Sequence, residues 1–148
     1  MSLKERLNDD VKQAMRSGDK SRLKILRMIT AAVKQREIDE RIELDDAQTL
    51  AVIEKQIKQR RESAETYREG NRPELAEVEE SEIAVLEDYL PEQLSEEEIH
   101  AAVDDAIAES GASDMSGMGQ VMGLLKPRLQ GRADMARVSG LVRSRLSA

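Results

Sequence analysis

Residues 118–146 read MGQVMGLLKPRLQGRADMARVSGLVRSRL, and this stretch decides the fold class. Met118, Met122 and Leu125 recur at spacings of four and three, the period of an amphipathic helix. Such a helix starts near Asp114 or Ser116 and stops by Gly131, with Pro127 placed to bend or shorten it. Gly131-Arg132-Ala133-Asp134 breaks the pattern. Asp134 then suits the N-cap of a second short helix that buries Val138, Leu141, Val142 and Leu146. The glycines are the anomaly, because each one inside a helix costs about 1 kcal/mol relative to alanine. Gly117, Gly119 and Gly123 therefore need a reason, and the one expected is close approach of another backbone or of a ligand. Gly119 and Gly123 share one helix face, a spacing that lets two helices meet closely. Gly117 and Gly119, near a helix N-terminus, could alternatively receive a phosphate. The run from Gly117 to Gly123 has one residue too many for a dinucleotide fingerprint and no strand before it, which excludes that reading.

The rest of the chain has the same helical grammar. Ser2 and Glu5 form a capping box ahead of the stripe Leu3, Leu7, Val11 and Ala14, which Gly18 ends. A second helix is expected over about 20–38, burying Ile25, Leu26, Ile29, Ala32 and Val33. Asp45 or Asp46 caps a third, with Leu50, Ile53, Ile57, Ala64 and Tyr67 as its stripe and Gly70 as its stop. Pro73 fits the first turn of a fourth. Its expected stripe is Leu75, Val78, Ile83, Leu86 and Leu90, broken by Pro91. Ser95, followed by Glu96, Glu97 and Glu98, opens a fifth whose inner face is Ile99, Val103, Ala106 and Ile107 and whose stop is Gly111. The fold expected is all-α: an N-terminal four-helix lobe over residues 1–92, then a small C-terminal three-helix lobe over 93–148. Only Tyr67 and Tyr89 are aromatic, so the core is aliphatic, which suits helices better than a sheet.

The 148 residues contain no cysteine, which excludes a disulfide framework and a thiolate zinc site. No apolar run approaches membrane-spanning length and no signal peptide precedes the first charged helix, so a cytoplasmic protein without membrane attachment is expected. The net charge of −7 hides segregation. Residues 1–61 carry 15 Lys/Arg against 11 Asp/Glu, residues 62–110 carry 2 against 17, and residues 111–148 carry 6 against 2. Two basic ends around an acidic middle keep a nucleic-acid partner open.

Three segments carry a resemblance. Asp19-Lys20-Ser21-Arg22-Leu23 through Glu37-Ile38, Glu79-Glu80-Ser81-Glu82-Ile83 through Leu90-Pro91-Glu92-Gln93-Leu94-Ser95, and Met118-Gly119 through Gly131-Arg132-Ala133-Asp134 occur in order. Together they resemble the YqeY family, which is similar to the tail of the B subunit of the tRNA-dependent glutamine amidotransferases. The resemblance implies an all-helical fold in two lobes, the second like that tail. In the amidotransferase the tail helps to bind tRNA, while the glutaminase and kinase chemistry lie on other domains and subunits, none of them matched here. It therefore implies tRNA as a partner, and beside it an amidotransferase or an aminoacyl-tRNA synthetase, with no cofactor.

Candidate binding residues follow from the basic positions. On the second helix Lys20, Lys24, Arg27 and Lys34 fall within about an 80° arc that faces away from Ile25, Ile29 and Val33. Such a row can track a phosphate backbone. In the C-terminal lobe Lys126, Arg128 and Arg132 cluster at the turn and are the favoured site, with Arg137 beyond them. Arg137 and Arg143 lie on opposite flanks of their helix. No catalytic or metal-ligating set stands out. His100 with Glu96 and Glu97 makes a poor metal site, and there is neither a cysteine nucleophile nor a Gly-x-Ser-x-Gly elbow. Glu54–Lys58 and Arg61–Glu65 have the spacing of helix-surface pairs. Arg60 falls on an apolar side, between Ile57 and Ala64, and is expected to pair with an acid of the fourth helix such as Glu82. Two function classes stay open. One is a non-catalytic tRNA-binding accessory module. The other is a protein–protein adaptor that docks a basic partner on Glu79, Glu80 and Glu82.

Overall fold

The computed structural model describes residues 1–147, which divide into two compact units, Met1–Leu90 and the residues from Pro91 onward. Seven α-helices and no strand occur among the described residues. The first unit holds α1 (Leu3–Ser17), α2 (Lys20–Glu40), α3 (Asp46–Glu69) and α4 (Pro73–Glu87).

Local chemistry sets most of these boundaries. Ser2 and Glu5 close a capping box on α1, and Gly18 ends it at φ 72. Asp19 caps α2, and Asp45 forms a second capping box with Gln48 on α3. Two stops differ from the sequence expectation. α2 runs on to Glu40 and turns at Arg41, which takes the left-handed conformation at φ 55. After α3 the left-handed residue is Asn71 at φ 59, with Gly70 at φ −83, because asparagine tolerates that region better than most side chains.

The core of this unit is aliphatic apart from Tyr89. Leu7 and Ala14 of α1, Ile25, Leu26, Ile29 and Val33 of α2, Ile53 and Ile57 of α3, and Ile83 and Leu86 of α4 are buried together. Each large member contributes roughly 1.5–3 kcal/mol by leaving water. The phase of α4 departs from expectation. Ala76 is fully buried, whereas Leu75 and Val78 are 39% and 52% exposed. Ala76, Ile83 and Leu86 share the inward arc of a helix that pairs closely with α3, and the small Ala76 side chain suits that approach. α4 also ends at Glu87, one turn before Pro91.

Polar ties close the unit. Glu37 accepts from Lys4 Nζ at 2.7 Å and from the Leu44 backbone N–H at 2.9 Å, joining α1, α2 and the loop before α3. The Lys4 contact, then the Leu44 N–H, holds the Glu37 carboxyl below its ordinary range. Tyr89, buried just after α4, donates its hydroxyl to Asp10 at 2.5 Å under the Arg6 guanidinium, 4.5 Å from the ring centroid. Burial first, then the Asp10 carboxylate, pushes the phenol up from its ordinary 10.0. Tyr89→Phe is expected to destabilise the protein by about 1–2 kcal/mol, read by chemical denaturation; an unchanged midpoint contradicts the tie. The sign with pH follows from the raised value. The contribution is full below the unfolded phenol's pKa of roughly 10 and is lost as pH rises through the folded value.

The second unit packs α5 (Glu96–Ser110), a single 3₁₀ turn (Met115–Gly117), α6 (Met118–Leu129) and α7 (Met135–Leu146) around Val103, Ala106, Val121, Leu125, Val138 and Val142. Ser95 and Glu98 form its capping box, Asp134 caps α7, and Gly111 and Gly131 take φ 71 and 78. Pro127 lies inside the last turns of α6 without stopping it.

Candidate nucleic-acid interface

The four basic residues of the expected row lie on the solvent face of α2. Lys20, Lys24, Arg27 and Lys34 are all exposed, opposite Ile25, Ile29 and Val33. Among the described residues none of the four forms an ion pair. From Lys20 to Lys34 the row runs about 21 Å along the helix. Lys12 and Arg16 on α1 are also exposed and unpaired, and they extend free positive charge onto a second helix. The sequence reading did not include them, although their i,i+4 spacing away from Leu7 and Ala14 marks a solvent face.

The basic residues of the second unit are mostly engaged. Arg128 Nη2 donates to both carboxylate oxygens of Glu109, at 3.0 and 2.8 Å. Arg137 grips Glu96 through two nitrogens, holding that carboxyl below its ordinary range. Arg145 bonds Asp104, the His100 carbonyl at 3.1 Å and His100 Nδ1 at 2.7 Å. Arg132 Nε donates to the Glu92 carbonyl at 3.2 Å. Lys126 and Arg143 are exposed without an ion pair.

The Arg132 contact belongs to a larger lock. Leu94 N–H donates to the Arg132 carbonyl at 2.9 Å, and Gln93 Nε2 donates to the Gly131 carbonyl at 2.5 Å. The Pro91–Ser95 segment and the Gly131–Asp134 turn, two stretches singled out in the sequence, therefore hold each other. Gly131 at φ 78 makes the turn that presents those carbonyls.

The glycines separate into two kinds. A Cβ on Gly117 would overlap the Ala112 methyl. Among the described residues a Cβ on Gly119 or Gly123 would meet nothing within 4 Å. α6 turns this pair toward open space while Val121 and Leu125 face the core. Gly123→Ala is accordingly expected to raise stability by up to about 1 kcal/mol, and Gly117→Ala to lower it. Melting temperatures of the two variants check both signs, and a destabilising Gly123→Ala contradicts the assignment.

Acidic residues in the middle of the chain are also partly engaged. Arg68 binds Glu80 at 2.6 Å, Arg60 binds Glu82 at 2.9 Å, and Arg61 reaches Glu87 at 3.0 Å in place of Glu65. His100 Nε2 lies 3.8 Å from Glu96, and no cluster of three metal-ligating side chains occurs among the described residues.

The arrangement defines a two-unit helical protein with a row of free cations on one helix of its first unit. A family profile described as Yqey-like protein matches residues 4–146, and the chain belongs to that family. Curated relatives include "Altered inheritance of mitochondria protein 41, mitochondrial" from three fungi. The Lachancea thermotolerans protein is 35% identical over 113 residues, covering 74% of this chain and 60% of the relative. The Pyrenophora tritici-repentis protein is 33% identical over 130 residues, covering 86% and 71%. The Kluyveromyces lactis protein is 34% identical over 114 residues, covering 74% and 61%. The matched stretch thus spans about 60% of the first of these relatives. Their names overturn the expected cytoplasmic placement. That expectation rested on the scarcity of long apolar runs, which does not tell one aqueous compartment from another. No described helix is long and apolar enough to cross a membrane.

Proposed function

We propose that this protein is a non-catalytic accessory module that holds tRNA by its phosphate backbone. The observation that carries this reading is the row Lys20, Lys24, Arg27 and Lys34, exposed and free of ion pairs on the outer face of α2. Paired cations gain little from a phosphate, since binding first breaks an existing bond. Unpaired ones release counterions from the nucleic acid on contact. Both tyrosines lie outside the row, so single bases have no aromatic ring there on which to stack. Double-helical RNA, read by shape and backbone, fits such a surface. The tail of the amidotransferase B subunit, which the family resembles, supplies tRNA as the ligand class. An amidotransferase or an aminoacyl-tRNA synthetase supplies the chemistry as a partner.

Within this reading α2 is the principal contact. Lys126 and Arg143 add free charge in the second unit, while Arg128, Arg132 and Arg137 act through the bonds they already make. Fluorescence anisotropy of labelled total tRNA tests the proposal. Binding at low salt that weakens with a log–log slope of about −3 to −4 is expected for four phosphate contacts. No binding at low salt overturns it.

A further inference from the structure

We infer that the groove between α1 and α2 seats a 5′-phosphorylated ribonucleotide; this rests on the RNA-binding reading and gives the same face a specific ligand. The groove is open to solvent and offers about 810 Å³, room for more than one phosphate group. Arg27 and Lys34 of α2 line one side with Thr30 and Ala31 between them, and Asn8 of α1 also lines it. Arg27 and Lys34 are seven residues apart and therefore face the same way. Neither forms an ion pair among the described residues; Lys34 feels the Glu37 carboxylate one turn away only through space, so both cations border the groove without a direct bond to an acid. A phosphomonoester, close to doubly charged at neutral pH, matches that pair better than an internal phosphodiester with its single charge.

The lining is polarised. The third cation, Lys4, is consumed by Glu37, which also accepts the Leu44 N–H. Glu5 is committed to the capping box with Ser2. Glu43 has no ion pair and lies beside Leu44, at the Lys4–Glu37 end. A carboxylate there repels phosphate and accepts a ribose hydroxyl, as acidic residues do in nucleotide sites. The ligand consequently places its phosphate between Arg27 and Lys34 and its ribose edge toward Glu43. The 2′-hydroxyl would then separate RNA from DNA. The phosphate can come from an RNA terminus or from a free nucleotide.

The test compares one labelled RNA hairpin carrying a 5′-phosphate with the same hairpin carrying a 5′-hydroxyl. AMP serves as competitor and as a direct ligand in calorimetry. The groove-filling variant is Asn8→Phe, at an exposed position of α1 outside the basic row, with Asn8→Gln as the second variant should the first fail to match the wild-type melting temperature. The 5′-phosphate is expected to tighten binding by roughly fivefold or more, as one additional partly exposed charge-assisted contact would. The filled groove should lose that advantage and keep the 5′-hydroxyl affinity. Competition by AMP for the advantage alone assigns the site to nucleotides in general, and failure to compete assigns it to RNA ends. Equal binding of the two hairpins, with no heat from AMP, overturns the groove site and leaves the basic row standing. If neither hairpin binds, the RNA reading falls; heat from AMP would then keep the groove as a free-nucleotide site, and no heat would remove it.

Discussion

Glu82→Leu is expected to lower the stability of the Met1–Leu90 unit by about 3 kcal/mol, the low end for breaking a buried ion pair. Arg60 is only 6% exposed on the inner side of α3. Its Nε donates to Glu82 at 2.9 Å, its Nη1 to Gln56 Oε1 at 2.7 Å, and its Nη2 points at Met28 Sδ at 3.7 Å. Removing Glu82 leaves a guanidinium that cannot lose its proton and has no other carboxylate bonded to it. The double variant Arg60→Met with Glu82→Leu is expected to be as stable as the wild type or more so. Taking both charges out removes two desolvation penalties, and methionine fills an irregular space well. Urea denaturation of the wild type, the single variant and the double variant separates the two effects. A double variant as unstable as the single one would mean that the pair is a net stabiliser, contrary to this account.

The second large effect concerns binding. Replacing Lys20, Lys24, Arg27 and Lys34 together by alanine is expected to weaken tRNA affinity by about 100-fold or more at low salt, since each phosphate contact contributes to a salt-dependent free energy. All four side chains are exposed and unpaired, so the fold should survive. The triple alanine variant at Lys126, Arg128 and Arg132 has a different expected signature. It breaks the Arg128–Glu109 pair and the Arg132–Glu92 bond, so it lowers the stability of the second unit and reduces affinity less. Anisotropy and melting curves on the same samples distinguish them. A larger affinity loss in the triple variant would return the principal site to the α6–α7 turn.

Features decided within a few residues were readable in advance. The caps at Ser2, Asp45, Ser95 and Asp134, and the stops at Gly18, Gly111 and Gly131, depend on one hydrogen bond or one dihedral angle. Arg60 was also readable, because a charge inside an apolar stripe must find a partner nearby. The partners of the C-terminal arginines were not. Arg128 meets Glu109 across 19 positions and Arg137 meets Glu96 across 41, so sequence alone could not separate free from engaged cations. The phase of α4 was misread for a related reason. Leu75 and Val78 are the more apolar residues, yet tight pairing with α3 selects Ala76 by size. The open faces at Gly119 and Gly123 likewise depend on which neighbour is absent, and no local pattern encodes that.

The most direct test of the account is the salt dependence of tRNA binding, measured side by side for the wild type and the Lys20, Lys24, Arg27, Lys34 alanine variant. The account predicts a log–log slope of about −3 to −4 for the wild type and a much shallower slope for the variant, because most of the counterions released are those displaced by this row. An unchanged slope in the variant would contradict it and place the phosphate contacts elsewhere on the molecule.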